Sequence, residues 1–180
     1  MAMAGSQAQA LTITPSPCVN GTDDSIKCWE GTDTNVDGIN GLISKMFPVN
    51  ELYRASADGG EFMSLADSYS TVFTPIGDSN PTGAVITLDD GGKSIPCPSC
   101  YLLVKDEDLA WYLFDISDFW DGTEAISLSG FWPLVDGGAG PIYYVSLFGG
   151  PPGTVLAPGP LGIMSIGLLL ISVMRRLKES

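Results

Sequence analysis

The chain contains no histidine among its 180 residues. That absence removes the commonest general base, the usual partner in a catalytic triad and the commonest zinc ligand. Charge is also scarce, at 16% of residues, and most of it is acidic: eight Lys and Arg stand against 21 Asp and Glu, a formal net charge of −13. Three of the eight basic residues, Arg175, Arg176 and Lys178, crowd into the last six positions. The body before them holds only Lys27, Lys45, Arg54, Lys93 and Lys105. A surface of this sign repels phosphate backbones and excludes nucleic acid as a partner. An enzyme remains conceivable without histidine, but no recognisable catalytic constellation is present, and the expectation is a non-enzymatic protein.

What is plentiful is Gly, with 22 residues, and Pro, with 13. With 44% hydrophobic residues the chain is long enough for one domain with a proper core, and the mixture favours short strands and turns over long helices. Strand-like runs separated by turn residues cover 68–74, 83–88, 101–105, 110–115, 125–131 and 142–148, and Asp89-Asp-Gly-Gly92 is a strong turn signal. The runs at 101–105 and 110–115 flank Asp106-Glu-Asp108 and read as a hairpin. The fold expected is mainly β: an antiparallel β-sandwich over residues 11–150. One helix is predicted near the start, where Ile39, Leu42, Ile43, Met46 and Phe47 follow helical spacing and Pro48 ends the run. It is expected to cover an edge or end of the sheets.

Both termini stand apart from this body. Ala8-Gln9-Ala10 fits the small-x-small pattern of a signal-peptidase site, although the basic and apolar regions of a full signal peptide are missing. Residues 1–10 therefore read either as the remnant of a signal peptide or as an ordinary disordered terminus. At the other end, 151–160 has linker composition and leads into an uncharged apolar run, Leu161 to Met174. As a helix that run reaches about 21 Å, and counting from Val155 it approaches the ~30 Å of a bilayer core. A transmembrane helix and basic tail are predicted over 161–180, with Arg175 and Arg176 held on the cytoplasmic side and the acidic body outside.

The order Pro158-Gly159-Pro160, apolar helix, basic cluster resembles the PEP-CTERM sorting signal. The likeness covers roughly residues 155–178. Members are exported bacterial proteins handled by a membrane protease, exosortase, alongside exopolysaccharide production. The family typically carries Glu between the two prolines, where this chain has Gly159; the departure bears on cleavage, whereas membrane targeting survives it on physical grounds. More loosely, the string from Tyr101 through Trp111, Trp120 and Leu128 to Trp132 is similar to the endings of a recurring group of such proteins. The resemblance implies an exported cell-envelope or surface protein, a structural or adhesive component of an exopolysaccharide or biofilm matrix, anchored in the membrane at least transiently. The alternative is a secreted glycan-active enzyme using acidic residues such as Asp115 and Asp118.

Cys18, Cys28, Cys97 and Cys100 form an even set, consistent with two disulfides in an oxidising compartment. Three pairings exist; the local one, Cys18 with Cys28 and Cys97 with Cys100, is preferred. Cys97 and Cys100 have thioredoxin-type spacing, but a strand rather than a helix follows, which favours a structural staple over a redox site. A four-cysteine zinc site fits poorly, because the spacing of the first pair is too wide.

Two further patterns touch on binding. Asp33, Asn35, Asp37 and Gly38 begin like a calcium loop, but Ser44 stands where the bidentate acid belongs. Asp37 or Asn35 as the cap of the following helix is the plainer reading, with a weak calcium site as the alternative. No other cofactor is expected. Aromatic doublets recur at 111–112, 119–120, 131–132 and 143–144. Neighbouring strand residues face opposite sides, so one member of each doublet must leave the core unless a second layer covers it. Inter-sheet packing is the plain account; an exposed ring, at Trp120 or Trp132, beside Asp115, Asp118 or Asp121 would instead stack on a sugar. Asn20-Gly-Thr22 matches a glycosylation sequon and equally a simple turn.

Overall fold

A computed structural model describes residues 10–15, 26–32, 36–75, 81–106, 111–131 and 141–150. The chain is mainly β, as its Gly, Pro and β-branched content leads one to expect. The strands are β1 (Leu11–Ile13), β2 (Lys27–Gly31), β3 (Asn50–Ser56), β4 (Glu61–Phe62), β5 (Tyr69–Thr74), β6 (Gly83–Leu88), β7 (Cys100–Asp106), β8 (Trp111–Asp115), β9 (Ile126–Leu128) and β10 (Ile142–Gly149), with a helix, α1 (Val36–Met46), between β2 and β3. They form a four-stranded sheet in the order β1-β9-β6-β5 and a six-stranded sheet in the order β2-β8-β7-β10-β3-β4. Pairing is antiparallel except between β1 and β9, which run parallel. The hairpin expected around 106–108 exists as the β7–β8 pair, with Leu103 opposite Leu113.

The two sheets share one core. Ile13, Tyr69, Ala84, Ile86, Ile126 and Leu128 from the smaller sheet meet Cys28, Tyr53, Leu102, Val104, Phe114 and Leu147 from the larger. Alternation along β7 shows how the pleat sorts residues. Leu102 and Val104 enter this inter-sheet core, while Tyr101 and Leu103 point to the other face of the six-stranded sheet. That other face is not bare, for Ile39 and Ile43 of α1 pack on it with Trp111, Leu113, Tyr144 and Phe148.

The helix thus covers the outer face of the larger sheet, not an edge or end of the fold as the sequence reading had it. Of its predicted stripe, Ile39, Ile43 and Phe47 turn inward, and Phe47 stacks on Tyr101 with ring centroids 4.3 Å apart. Leu42 and Met46 stay exposed. This third layer explains why both members of a strand doublet can avoid water: Trp111 is buried beneath the helix layer, and Tyr112 packs toward the inter-sheet core.

Among the described residues no helix is long and apolar enough to cross a membrane. The expected transmembrane helix and basic tail, with Pro158, Gly159, Pro160, Arg175 and Arg176, lie outside the described residues, as do the first nine residues.

Candidate functional site

The loop between β8 and β9 carries the acidic and aromatic residues singled out from sequence, and a disulfide holds its neighbour in place. Cys97 and Cys100 are bonded to each other, and Cys100 opens strand β7, so the pair is a staple at a strand end. No described cysteine is free, and Cys28 is itself disulfide-bonded. Cys18 lies outside the described residues. From the staple, the Cys100 amide donates to Ser117 Oγ at 2.9 Å, and the Ile116 amide donates to the Cys100 carbonyl at 3.0 Å. Ser117 Oγ in turn donates to Asp115 Oδ1 at 2.6 Å. Asp115 is thus spent on closing a turn, the ordinary use of an Asp two residues before a backbone N–H.

Residues 116–120 form a single helical turn, with the Phe119 and Trp120 amides both donating to the Ile116 carbonyl. The turn sends the two rings in opposite directions. Trp120 enters the inter-sheet core at 3% exposure and donates its indole N–H to the Glu124 carbonyl at 2.7 Å. The stacking role expected of Trp120 fails for that reason: the ring has no free face, since its apolar area is worth more inside. Phe119, its neighbour, is 39% exposed. Trp132 lies outside the described residues, and Phe131, its doublet partner, is fully buried against Phe114 and Tyr112.

Phe119 forms one wall of a shallow recess of about 340 Å³ shared with Asp118, Asp121, Glu124, Ser117, Cys97 and the little of Trp120 that reaches the surface. Asp121 Oδ1 accepts from the Thr123 hydroxyl at 2.6 Å and the Thr123 amide at 2.8 Å. These bonds favour the carboxylate and hold its pKa below the usual aspartate value. The backbone beyond is pinned from inside. Gly122 adopts φ +95°, and a Cβ there would lie 2.2 Å from the Ile95 carbonyl oxygen, so only glycine fits. Tyr69, buried on β5, donates its hydroxyl to the Gly122 carbonyl at 2.7 Å and accepts the Ile95 amide at 2.8 Å. One phenol therefore ties together β5, the segment before β7 and the acidic loop. Sequence reasoning missed this role, because a strand tyrosine followed by Ser and Thr carries no mark of a long-range partner.

No protein-family model, curated protein or solved structure matches this chain.

The other site residues predicted from sequence are placed less favourably. Helix α1 already begins at Val36, so Asp37 sits in its first turn instead of capping it or extending into a loop. Asp33 and Asn35, the other two candidate calcium ligands, lie outside the described residues. Among the described residues no three acidic or cysteine side chains come together as a metal-binding group.

A second polar knot closes the opposite edge of the sandwich. Glu61 of β4 accepts from the Tyr53 hydroxyl and from the Thr71 amide, each at 3.0 Å. Tyr53 and Thr71 also share a 2.7 Å hydroxyl–hydroxyl bond. The carboxylate thereby occupies part of the open edge of β5 and joins the edge strands of the two sheets, a device that blunts strand addition by another chain. Burial raises the Tyr53 phenol well above its ordinary range, and Glu61 pushes it further.

Proposed function

We propose that this chain is an exported, membrane-anchored envelope or surface protein of the PEP-CTERM type, and that its β body contacts matrix polysaccharide through the face around Phe119. The observation that carries the contact is that ring, exposed in a recess whose other polar walls are Asp118, Asp121 and Glu124. An apolar ring face takes the C–H side of a sugar, and carboxylates accept from its hydroxyls. Asp121 is held by its bonds from Thr123 and Glu124 by the Asp121 amide, with the Cys97–Cys100 staple beside them, so little order must be gained there on binding. The export and anchoring half of the reading rests on sequence: the apolar run from Leu161, its Arg175-Arg176 end and the proline pair before it.

Binding of the detergent-solubilised full chain to an array of bacterial exopolysaccharides tests the first half. Phe119→Ala is expected to weaken capture about tenfold, the loss of one aromatic contact, without change in thermal unfolding. Equal capture by the variant sinks the assignment of this face. Hydrolysis of any glycan on the array, lost in Asp118→Asn, would replace a binding protein with an enzyme. Cell fractionation tests the second half: truncation after Gly150 should move the body from the membrane to the soluble exported fraction.

A further inference from the structure

Helix α1 buries one side and turns apolar residues outward on another. Ile39 and Ile43 face the six-stranded sheet, while Leu42 and Met46, one turn apart, are 40% and 49% exposed. Lys45 beside them is exposed as well. At 3.6 residues per turn, Leu42 lies about 200° around the helix from Asn40. Asn40 Nδ2 donates to Glu51 of β3 at 2.9 Å, so the Asn40 flank faces the β3 side of the sheet. Because α1 packs over residues of β8, β7 and β10, which lie between β3 and β2, the flank with Leu42 and Met46 faces the β2 side.

On that side β2 turns Lys27 and Trp29 to the same outer face, since Cys28 between them enters the inter-sheet core. Trp29 is half-buried and meets Phe47 with ring centroids 5.2 Å apart. Lys27 is exposed. The acid opposite it in register, Asp115, is engaged by the Ser117 hydroxyl and amide. Two of the five body cations therefore flank an apolar patch on a chain of net charge −13. Aliphatic side chains with a tryptophan, and lysines whose stems lie along apolar surface, are the make-up of a helix face that settles at a bilayer–water interface.

The place where β10 ends decides what this patch meets. Gly149 pairs with Asn50, and the Gly150 amide donates to the Ser99 carbonyl at 3.0 Å. A Cβ on Gly150 would lie 3.8 Å from the Pro48 carbonyl oxygen, so the chain leaves the body against the turn that follows α1. Ten residues, 151–160, separate Gly150 from the apolar run at Leu161, and they reach at most about 35 Å. Helix α1 has 11 residues and is about 16 Å long, so all of it stays within reach of a bilayer that holds that run. A short tether keeps the effective concentration of the surface on the order of millimolar, and a patch of few residues then suffices. We infer that the face of α1 bearing Leu42 and Met46, with Trp29, Lys27 and Lys45 beside it, docks on the anionic phospholipid bilayer that holds the tail. The inference rests on the membrane-anchored reading and deepens it by naming the face of the body that meets lipid.

The test places the full chain, carbon-13 labelled at its methionine methyls, in nanodiscs of phosphatidylethanolamine and phosphatidylglycerol doped with a nitroxide-bearing lipid. Single Met→Leu replacements assign the methyl resonances. Met46 reports on the patch, Met164 and Met174 report on the apolar run, and Met63, 44% exposed beyond β4 at the other edge of the sheet, is the control. The nitroxide is expected to broaden Met46 several-fold more than Met63. Leu42→Asp and Lys45→Glu, both exposed changes, should each reduce the Met46 broadening about threefold or more, with thermal unfolding unchanged. Broadening of Met164 and Met174 with Met46 no more affected than Met63 leaves the anchor standing and removes the docking. Variants of intact fold in which Met46 broadens as in the parent overturn it too. If neither Met164 nor Met174 broadens, the anchor fails and the docking fails with it.

Discussion

Replacing Tyr69 by Phe deletes one oxygen and strands two buried backbone groups at once. The ring itself would stay, with its neighbours Tyr53 at 5.6 Å and Trp120 at 6.1 Å between centroids, so little packing is lost. What goes is the acceptor for the Ile95 amide and the donor to the Gly122 carbonyl. Both groups are buried, and water cannot replace the phenol without opening the core. Each unsatisfied group costs about 1–3 kcal/mol. Because the two share one site and relax together, the sum expected is about 2–4 kcal/mol. For a domain of this size that lowers the melting temperature by roughly 3 °C per kcal/mol, or about 6–12 °C. Urea unfolding of Tyr69→Phe beside the parent measures it, with the slope unchanged if only stability moves. Tyr143→Phe is the control: Tyr143 is exposed, and its change should stay within about 0.5 kcal/mol. A loss for Tyr69→Phe no larger than the control's would refute the claim that this phenol holds the acidic loop.

Two further outcomes follow from the other polar groups. Glu61→Ala should cost about 1 kcal/mol, since it removes the acceptor of the Tyr53 hydroxyl and the Thr71 amide at an exposed edge. It should also lower the Tyr53 phenol pKa in an ultraviolet phenolate titration; an unchanged titration would mean that burial alone sets it. Alkaline stability reads the buried phenols together. Burial raises Tyr144 to about 12, with nearby Arg54 opposing the shift, whereas an unfolded tyrosine titrates near 10. Between those values the unfolded chain releases a proton that the native state keeps, so this contribution is complete below about pH 10 and is lost as pH rises toward 12. Urea midpoints should be level from about pH 7 to 9 and fall above about pH 10. Tyr144→Phe should shallow that fall at no cost near neutrality, because the Tyr144 hydroxyl is buried without a partner. A midpoint level to about pH 11.5 would contradict it.

Much of the fold was readable from local pattern. The runs near β5, β6, β7, β8 and β10 fell within a residue of the strands, and the run at 125–131 overshot β9 by three residues at its end, because alternation and turn residues are local signals. The strands missed were those with weak local signals. β3, Asn50–Ser56, carries Glu51 and Arg54, which pair with each other at 2.7 Å on the outer side while Tyr53 and Ala55 face the core. β2, Lys27–Gly31, was missed as well, its five residues including Lys27, Glu30 and Gly31, and β1 and β4 are three and two residues long, too short for any period to register. The helix was placed correctly along the chain but on the wrong part of the fold. Its stripe says that one side is buried and is silent on which surface receives it.

The candidate site divides in the same way. Composition alone marked the acidic loop, the aromatic doublets and the Cys97–Cys100 staple, since spacing of three residues and a following strand constrain that pair locally. Which ring of Phe119 and Trp120 meets water was decided by a single helical turn, whose i to i+4 bond from Ile116 aims Trp120 into the inter-sheet gap. The close seating of the Trp111 ring depends on Gly31, 80 residues earlier, becoming its strand partner. Sequence by itself determined composition, charge, strand runs and the apolar run with its basic end in the tail, because each is a property of neighbours along the chain. Only the tertiary structure decided which polar groups are paired and which ring is exposed, because those depend on residues that folding alone brings together.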